Sequence, residues 1–180
     1  MKAVPLIVCV LIFLSACRST VSTMKVDADS IKPNNNNMGY LLMGVETNND
    51  LKHIDIDGPS SIRLTHADLK KGTSYVLIPL LAGDYQLNNI QFNYYFKSRL
   101  KDQDVWQFEI KPETISYVGH LEVSTKGFYV FYSSIELVNR STEALDFMLE
   151  DFPSILESRT MFYGGPGEDD YFQFIESLGE

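Results

Sequence analysis

Ile115-Ser116-Tyr117-Val118-Gly119-His120-Leu121-Glu122-Val123-Ser124 is the stretch whose reading decides the fold. Residues 115, 117, 119, 121 and 123 make one row, and Ser116, His120, Glu122 and Ser124 make the other. That two-residue period belongs to a half-buried strand, whose successive side chains point to opposite faces. Working outward, Lys126-Gly127 turns the chain into Phe128 to Leu137, and Trp106, Phe108 and Ile110 alternate on the other side. Ala82-Gly83-Asp84 separates an apolar run, Tyr75 to Leu81, from a strand over Tyr85 to Phe96. Further back, Ile62 and Leu64, Lys52 to Asp57, and Met38 to Glu46 repeat the pattern, with Lys70-Lys71-Gly72 and Asp57-Gly58-Pro59-Ser60 as turns.

The period lengthens after Asn139. Leu145, Met148, Leu149 and Phe152 fall at helical spacing, Pro153 interrupts, and a second short helix follows Asp169-Asp170. Met161 to Gly167 reads as a loop. Short strands at near-regular spacing followed by helices predict a mainly β chain, an antiparallel β-sandwich with a C-terminal α-helical segment. One domain is expected over 38–180, with helices at about 141–157 and 170–178.

The 180 residues carry a formal net charge of −9. Nucleic acid is excluded as a partner on that balance, because affinity for it comes from Lys and Arg neutralising phosphates. The same balance argues against docking by attraction to anionic lipid headgroups. The two cysteines are Cys9 and Cys17, so the expected folded part has no disulfide.

The N-terminus has its own logic. Lys2 precedes an unbroken apolar run, Ala3 to Leu14. A helix of that length spans about 18 Å, short of the roughly 30 Å hydrocarbon core, so a removable export signal is favoured over a membrane span. Leu14-Ser15-Ala16-Cys17 follows, and it resembles the bacterial lipobox. The resemblance implies lipid transfer to the Cys17 sulfur and cleavage after Ala16, with Leu14, Ser15 and Ala16 recognised by the signal peptidase. Residues 1–16 are then the signal peptide. In enterobacterial lipoproteins, Asp after the lipidated Cys goes with inner-membrane retention, so Arg18 implies the outer membrane, periplasmic leaflet. Ser19 to Asn37 is polar and without apolar period, which predicts a flexible tether over 17–37 with a reach near 25 Å.

A second resemblance lies at Leu80-Leu81-Ala82-Gly83-Asp84-Tyr85-Gln86-Leu87. It is similar to the turn of transthyretin-like and carboxypeptidase-regulatory-like sandwiches, where a glycine permits the bend and a tyrosine bonds back across the corner. It covers roughly Met38 to Leu137 and speaks to fold rather than function.

Catalytic chemistry is not apparent. His53, Asp55 and Asp57 share a strand face, but side chains two apart stand nearly 7 Å from each other and do not converge on a cation. Ser116, His120 and Glu122 fail as a nucleophile–base–acid set for the same reason. His66 reads as a turn residue. Gly164 to Asp170 lacks the Lys of a phosphate loop and reads as loop plus helix cap, although its acids could suit calcium. The aromatic stretch Phe92 to Phe96 has rings on both faces; one face is expected to be covered by the C-terminal helix, the alternative being an exposed patch for a partner or glycan. The expected function is thus a membrane-anchored, non-catalytic binding or structural module facing the periplasm. No metal or cofactor is expected, and an envelope protein or glycan is a possible partner. The alternatives are an envelope hydrolase assembled from distant strands, or a periplasmic small-ligand or metal binder.

Overall fold

The computed structural model describes residues 18–31, 37–100, 104–127 and 132–179. Leu14 to Cys17 lie outside the described residues, as do 32–36 and 128–131. Along the chain run β1 (Ser19–Val21), β2 (Met38–Thr47), β3 (His53–Asp57), β4 (Ile62–Thr65), β5 (Gly72–Leu81), β6 (Gly83–Gln91), β7 (Lys97–Arg99), β8 (Gln107–Ile110), β9 (Ile115–Lys126) and β10 (Tyr132–Val138). Then come α1 (Ser141–Asp151), α2 (Pro153–Ser158), β11 (Met161–Tyr163) and α3 (Tyr171–Gly179). Among the described residues no helix is long and apolar enough to cross a membrane.

The strands form two sheets. One has the order β1-β4-β3-β6-β7, with β8 also on β6; the other has the order β10-β9-β2-β5, with β11 also on β9. Ile54, Ile56, Ile62, Leu64, Leu87 and Ile90 of the first sheet pack against Leu41, Met43, Val76, Ile78, Leu121 and Val123 of the second. This is a sandwich core. The far face of the second sheet (Tyr40, Leu42, Leu77, Ile115, Tyr117) is covered by Ala144, Met148, Ile155 and Phe172 from the helices. Among the described residues no helix covers the far face of the first sheet, which is polar.

The expected corner forms. Tyr85 is buried and its hydroxyl donates to the Leu81 carbonyl at 2.9 Å. Gly83 takes φ +138°, where a Cβ would also press on Pro59 Cγ at 2.8 Å.

Four expectations change. The pairing is mixed rather than wholly antiparallel: β2 lies parallel to β9, β11 parallel to β9, and β1 parallel to β4. Met161 to Tyr163, expected as loop, is the strand β11. The strand expected to run to Phe96 ends at Gln91 and turns, so that Tyr94 and Tyr95 stand exposed at a hairpin tip instead of under a helix.

The fourth change concerns the tether. Residues 18–31 are packed against the domain: Ser19 to Val21 pair with Ile62 to Leu64, and the Met24 N–H donates to the Leu77 carbonyl at 2.9 Å. Asp27 accepts from the Ser154 and Ile155 N–H groups at the start of α2, and Asp29 pairs with Arg159 at 2.7 Å. Ile31 enters the core beneath the helices. Polar residues dock here by satisfying orphan backbone groups and by ion pairing, which needs no apolar period.

Candidate functional site

The uncovered face of the first sheet is built by register. Arg63 lies opposite Asp55, Asp55 opposite Asn89, and Asn89 opposite Arg99, making one cross-strand row. Thr65, His53, Gln91 and Lys97 make the next. The alternation of β3 puts Ile54 and Ile56 inward and so forces His53, Asp55 and Asp57 outward.

Asp55 is the hub of this face, only 2% exposed. Arg63 donates to both of its oxygens, Nε at 2.7 Å and Nη2 at 3.0 Å, and Asn89 donates at 3.1 Å. Arg18 adds a second cationic partner at 3.3 Å and also binds Asp57, to which Asn88 donates. Burial works to raise the Asp55 carboxyl. The hydrogen bonds from Arg63 and Asn89, with the charges of Arg63 and Arg18, outweigh it and hold the carboxyl below its ordinary value. His53 stands 3.9 Å from Asp55; its own pKa is lowered, first by burial and then by Arg63.

Asp55→Ala is therefore expected to lower stability by about 2 kcal/mol, because it strips Arg63 and Asn89 of their acceptor. Both arginines are about a third exposed (38% for Arg63, 32% for Arg18) and can rehydrate, which keeps the loss below that of a fully buried pair. Urea titration at pH 7 measures it; a change under 0.5 kcal/mol would mean the hub is ornamental.

Arg18, His53, Asp55, Arg63, Asn88, Asn89, Gln91, Lys97 and Arg99 line an open concavity of about 600 Å³. Arg18 and Arg63 are spent on the two acids. Lys97 and Arg99 are exposed and form no ion pair among the described residues. The outcome is a cationic, amide-lined hollow on an acidic protein.

No protein-family model, no curated protein and no solved structure matches this chain. The geometry of its own side chains has to carry the functional reading.

A second cluster is buried under the helices. His120 is wholly buried; its Nδ1 lies 2.7 Å from the Tyr117 hydroxyl and its Nε2 lies 3.1 Å from the Tyr75 hydroxyl. The Arg140 N–H donates to the Tyr117 oxygen at 3.0 Å. Nδ1 and the Tyr117 hydroxyl share one hydrogen bond, and Nε2 and the Tyr75 hydroxyl share the other. Burial lowers the His120 pKa, while nearby Glu143 opposes and Arg140 reinforces that shift. The Arg140 guanidinium meets Glu46 at 3.1 Å, Glu143 at 3.5 Å, and Glu122. Both ring nitrogens are thus engaged by tyrosines.

Ser116 is not brought to His120; its hydroxyl accepts from the Lys111 N–H at 2.9 Å. His66 sits exposed at a turn, with Nδ1 3.3 Å from the Leu51 carbonyl. In the Gly164 to Asp170 loop, Asp169 caps α3 by accepting from the Tyr171 N–H at 2.9 Å, and it also accepts from Ser141 and Asn139. Among the described residues no group of three or more metal-ligating side chains converges. An apolar groove of about 450 Å³ lies on the helical side, lined by Leu145, Leu149, Leu156, Phe172 and Ile175.

The His53, Asp55, Asp57 row lies on the outward face that its alternation predicts, but Asp55 is buried there rather than solvated. Arg63, Lys97 and Arg99 were not expected in the site, and Arg18 was expected only as a sorting residue. The signal available was Arg63 between inward Ile62 and Leu64, and Lys97 with Arg99 at spacing two.

Proposed function

We propose that the protein is a lipid-anchored module of the bacterial cell envelope, attached through Cys17, whose work is binding rather than catalysis. The outer membrane, periplasmic leaflet, is the proposed address. The observation that carries this reading is the position of Arg18. It follows the candidate lipidation site directly, and it is fastened to Asp55 and Asp57 on the open polar face. Two or more acyl chains on Cys17 make a durable anchor, where a single chain is marginal.

A Cys17→Ala precursor tests the attachment. It is expected to lose all incorporation of labelled palmitate and to accumulate uncleaved, read by autoradiography and by the mass of the N-terminal peptide. Labelling equal to that of the unaltered chain would overturn the reading.

A further inference from the structure

We propose that the apolar groove between α1, α2 and α3 is the docking site for a cationic amphipathic helix of a partner protein. It does not depend on the anchor. Ser141 to Glu180 holds ten acids and one base, Arg159, so the whole formal charge of −9 belongs to this helical segment. The acids also stand in a repeated relation to the groove. Leu145, Leu149, Leu156 and Ile175 line it, and the residues that follow them are Asp146, Glu150, Glu157 and Glu176. One step along a helix turns about 100°, so each acid flanks the apolar floor instead of filling it. Glu157 and Glu176 reach the groove itself, from α2 and from α3. All four acids are exposed and form no ion pair among the described residues.

The bases that touch this layer are spent or turned away. Asp29 holds Arg159 at 2.7 Å. Arg140, ahead of α1, is shared by Glu46, Glu122 and Glu143. Lys111 lies over the ring of Phe162, on the side of β11 opposite Met161, which lines the groove. The apolar floor is left open: Leu149 is 56% exposed, Ile175 36%, and Leu178, one turn further along α3, 68%. A fitting occupant brings apolar side chains along its middle and cations on both flanks. That is the pattern of an amphipathic helix laid in a groove. A second copy of this chain would bring the same acids face to face. An anionic bilayer would be repelled.

The test uses the purified full chain and fluorescein-labelled peptides of about 14 residues, four helical turns. One carries leucine at i, i+3, i+4 and i+7 with lysine elsewhere, the second is its scramble, and the third has glutamate for lysine. Anisotropy at physiological salt should show the leucine–lysine helix binding roughly 30-fold tighter than its scramble, the effect of burying one leucine. Leu149→Gln should weaken that binding about tenfold, because half of this side chain is free to be covered. Glu157→Gln/Glu176→Gln should also weaken it about tenfold, near threefold for each carboxylate. Glu157→Lys/Glu176→Lys should weaken it further and improve binding of the glutamate peptide, a gain that misfolding does not produce. The altered side chains are exposed, so thermal unfolding should match the unaltered chain. Equal binding of helix and scramble, or an unmoved affinity in Leu149→Gln, would overturn the docking. So would tighter binding of the glutamate peptide to the unaltered chain. A dimer in sedimentation that Leu149→Gln abolishes would make a second copy the occupant. Loss of hydroxyl-radical labelling at Phe174 and Leu178 on adding phosphatidylcholine vesicles would make it a bilayer. Either result refutes the partner helix.

Discussion

Gly44→Ala is expected to destabilise the domain by about 3 kcal/mol, the upper part of the range for overpacking a filled core. For a chain of this size that is a fall of roughly 9 °C in unfolding midpoint. Gly44 lies opposite His120 in the parallel pair of β2 and β9. A Cβ added there would meet His120 Cδ2 and Nε2 and come within 2.5 Å of Cγ. The imidazole cannot swing away cheaply, because Tyr117 and Tyr75 hold it at both nitrogens. The phenol of Tyr75 is itself stacked on Phe147 at 4.2 Å, so the strain passes into α1. The double variant Gly44→Ala/His120→Ala isolates this clash. Its loss should be about 2 kcal/mol smaller than the sum of the two single losses, measured by urea unfolding, since the new methyl then occupies space the ring has left. Strict additivity would show that the ring is not what Gly44 makes room for.

The same place explains how much of the fold was legible. The row 115, 117, 119, 121, 123 reads as one strand face, and it correctly gives strand and sandwich. It is in fact two half-rows. Ile115 and Tyr117 face the helices, whereas Leu121 and Val123 face the inter-sheet core. Parity reverses because the pairing slips between Leu42 and Gly44, with Gly119 at φ +114° on the partner strand. A glycine inside a strand pattern is the sign of such a bulge, and Gly119 carried it. That reversal puts His120 under the helices, away from Ser116, which precedes the slip, and from any aqueous face. The docking of residues 18–31 left no comparable trace. Asp27 serves N–H groups 127 and 128 residues away, and Asp29 serves Arg159. A polar segment satisfying distant backbone looks in sequence like one satisfying nothing.

Lowering the pH from 7 to 5 is expected to destabilise the protein through its buried imidazoles, before any carboxylate contributes. His120 has its pKa lowered, chiefly by burial; Arg140 pushes the same way, while Glu143, Glu46 and Glu122 oppose. His53 is lowered too, by burial and then by Arg63. For a lowered imidazole, the unfolded chain takes up a proton near pH 6.5 that the folded chain still refuses. Proton uptake is then greater in the unfolded state, and stability rises with pH. The contribution is intact above about pH 6.5 and drains as pH falls from there toward the folded value. The slope approaches about 1.4 kcal/mol per pH unit for each such histidine. The lowered carboxyls of Asp27, Asp29, Asp50, Asp55 and Asp169 act in the same sense but lower, their contributions vanishing as pH drops below the ordinary 3.8. The two windows separate cleanly. His120→Gln removes the titrating group and keeps a donor and an acceptor, so its urea midpoints at pH 7, 6 and 5 should show about half the wild-type slope or less. His53→Gln should remove a smaller part, because that ring is not fully buried. An unchanged slope in His120→Gln would mean that the imidazole takes up its proton inside the fold as readily as in the unfolded chain.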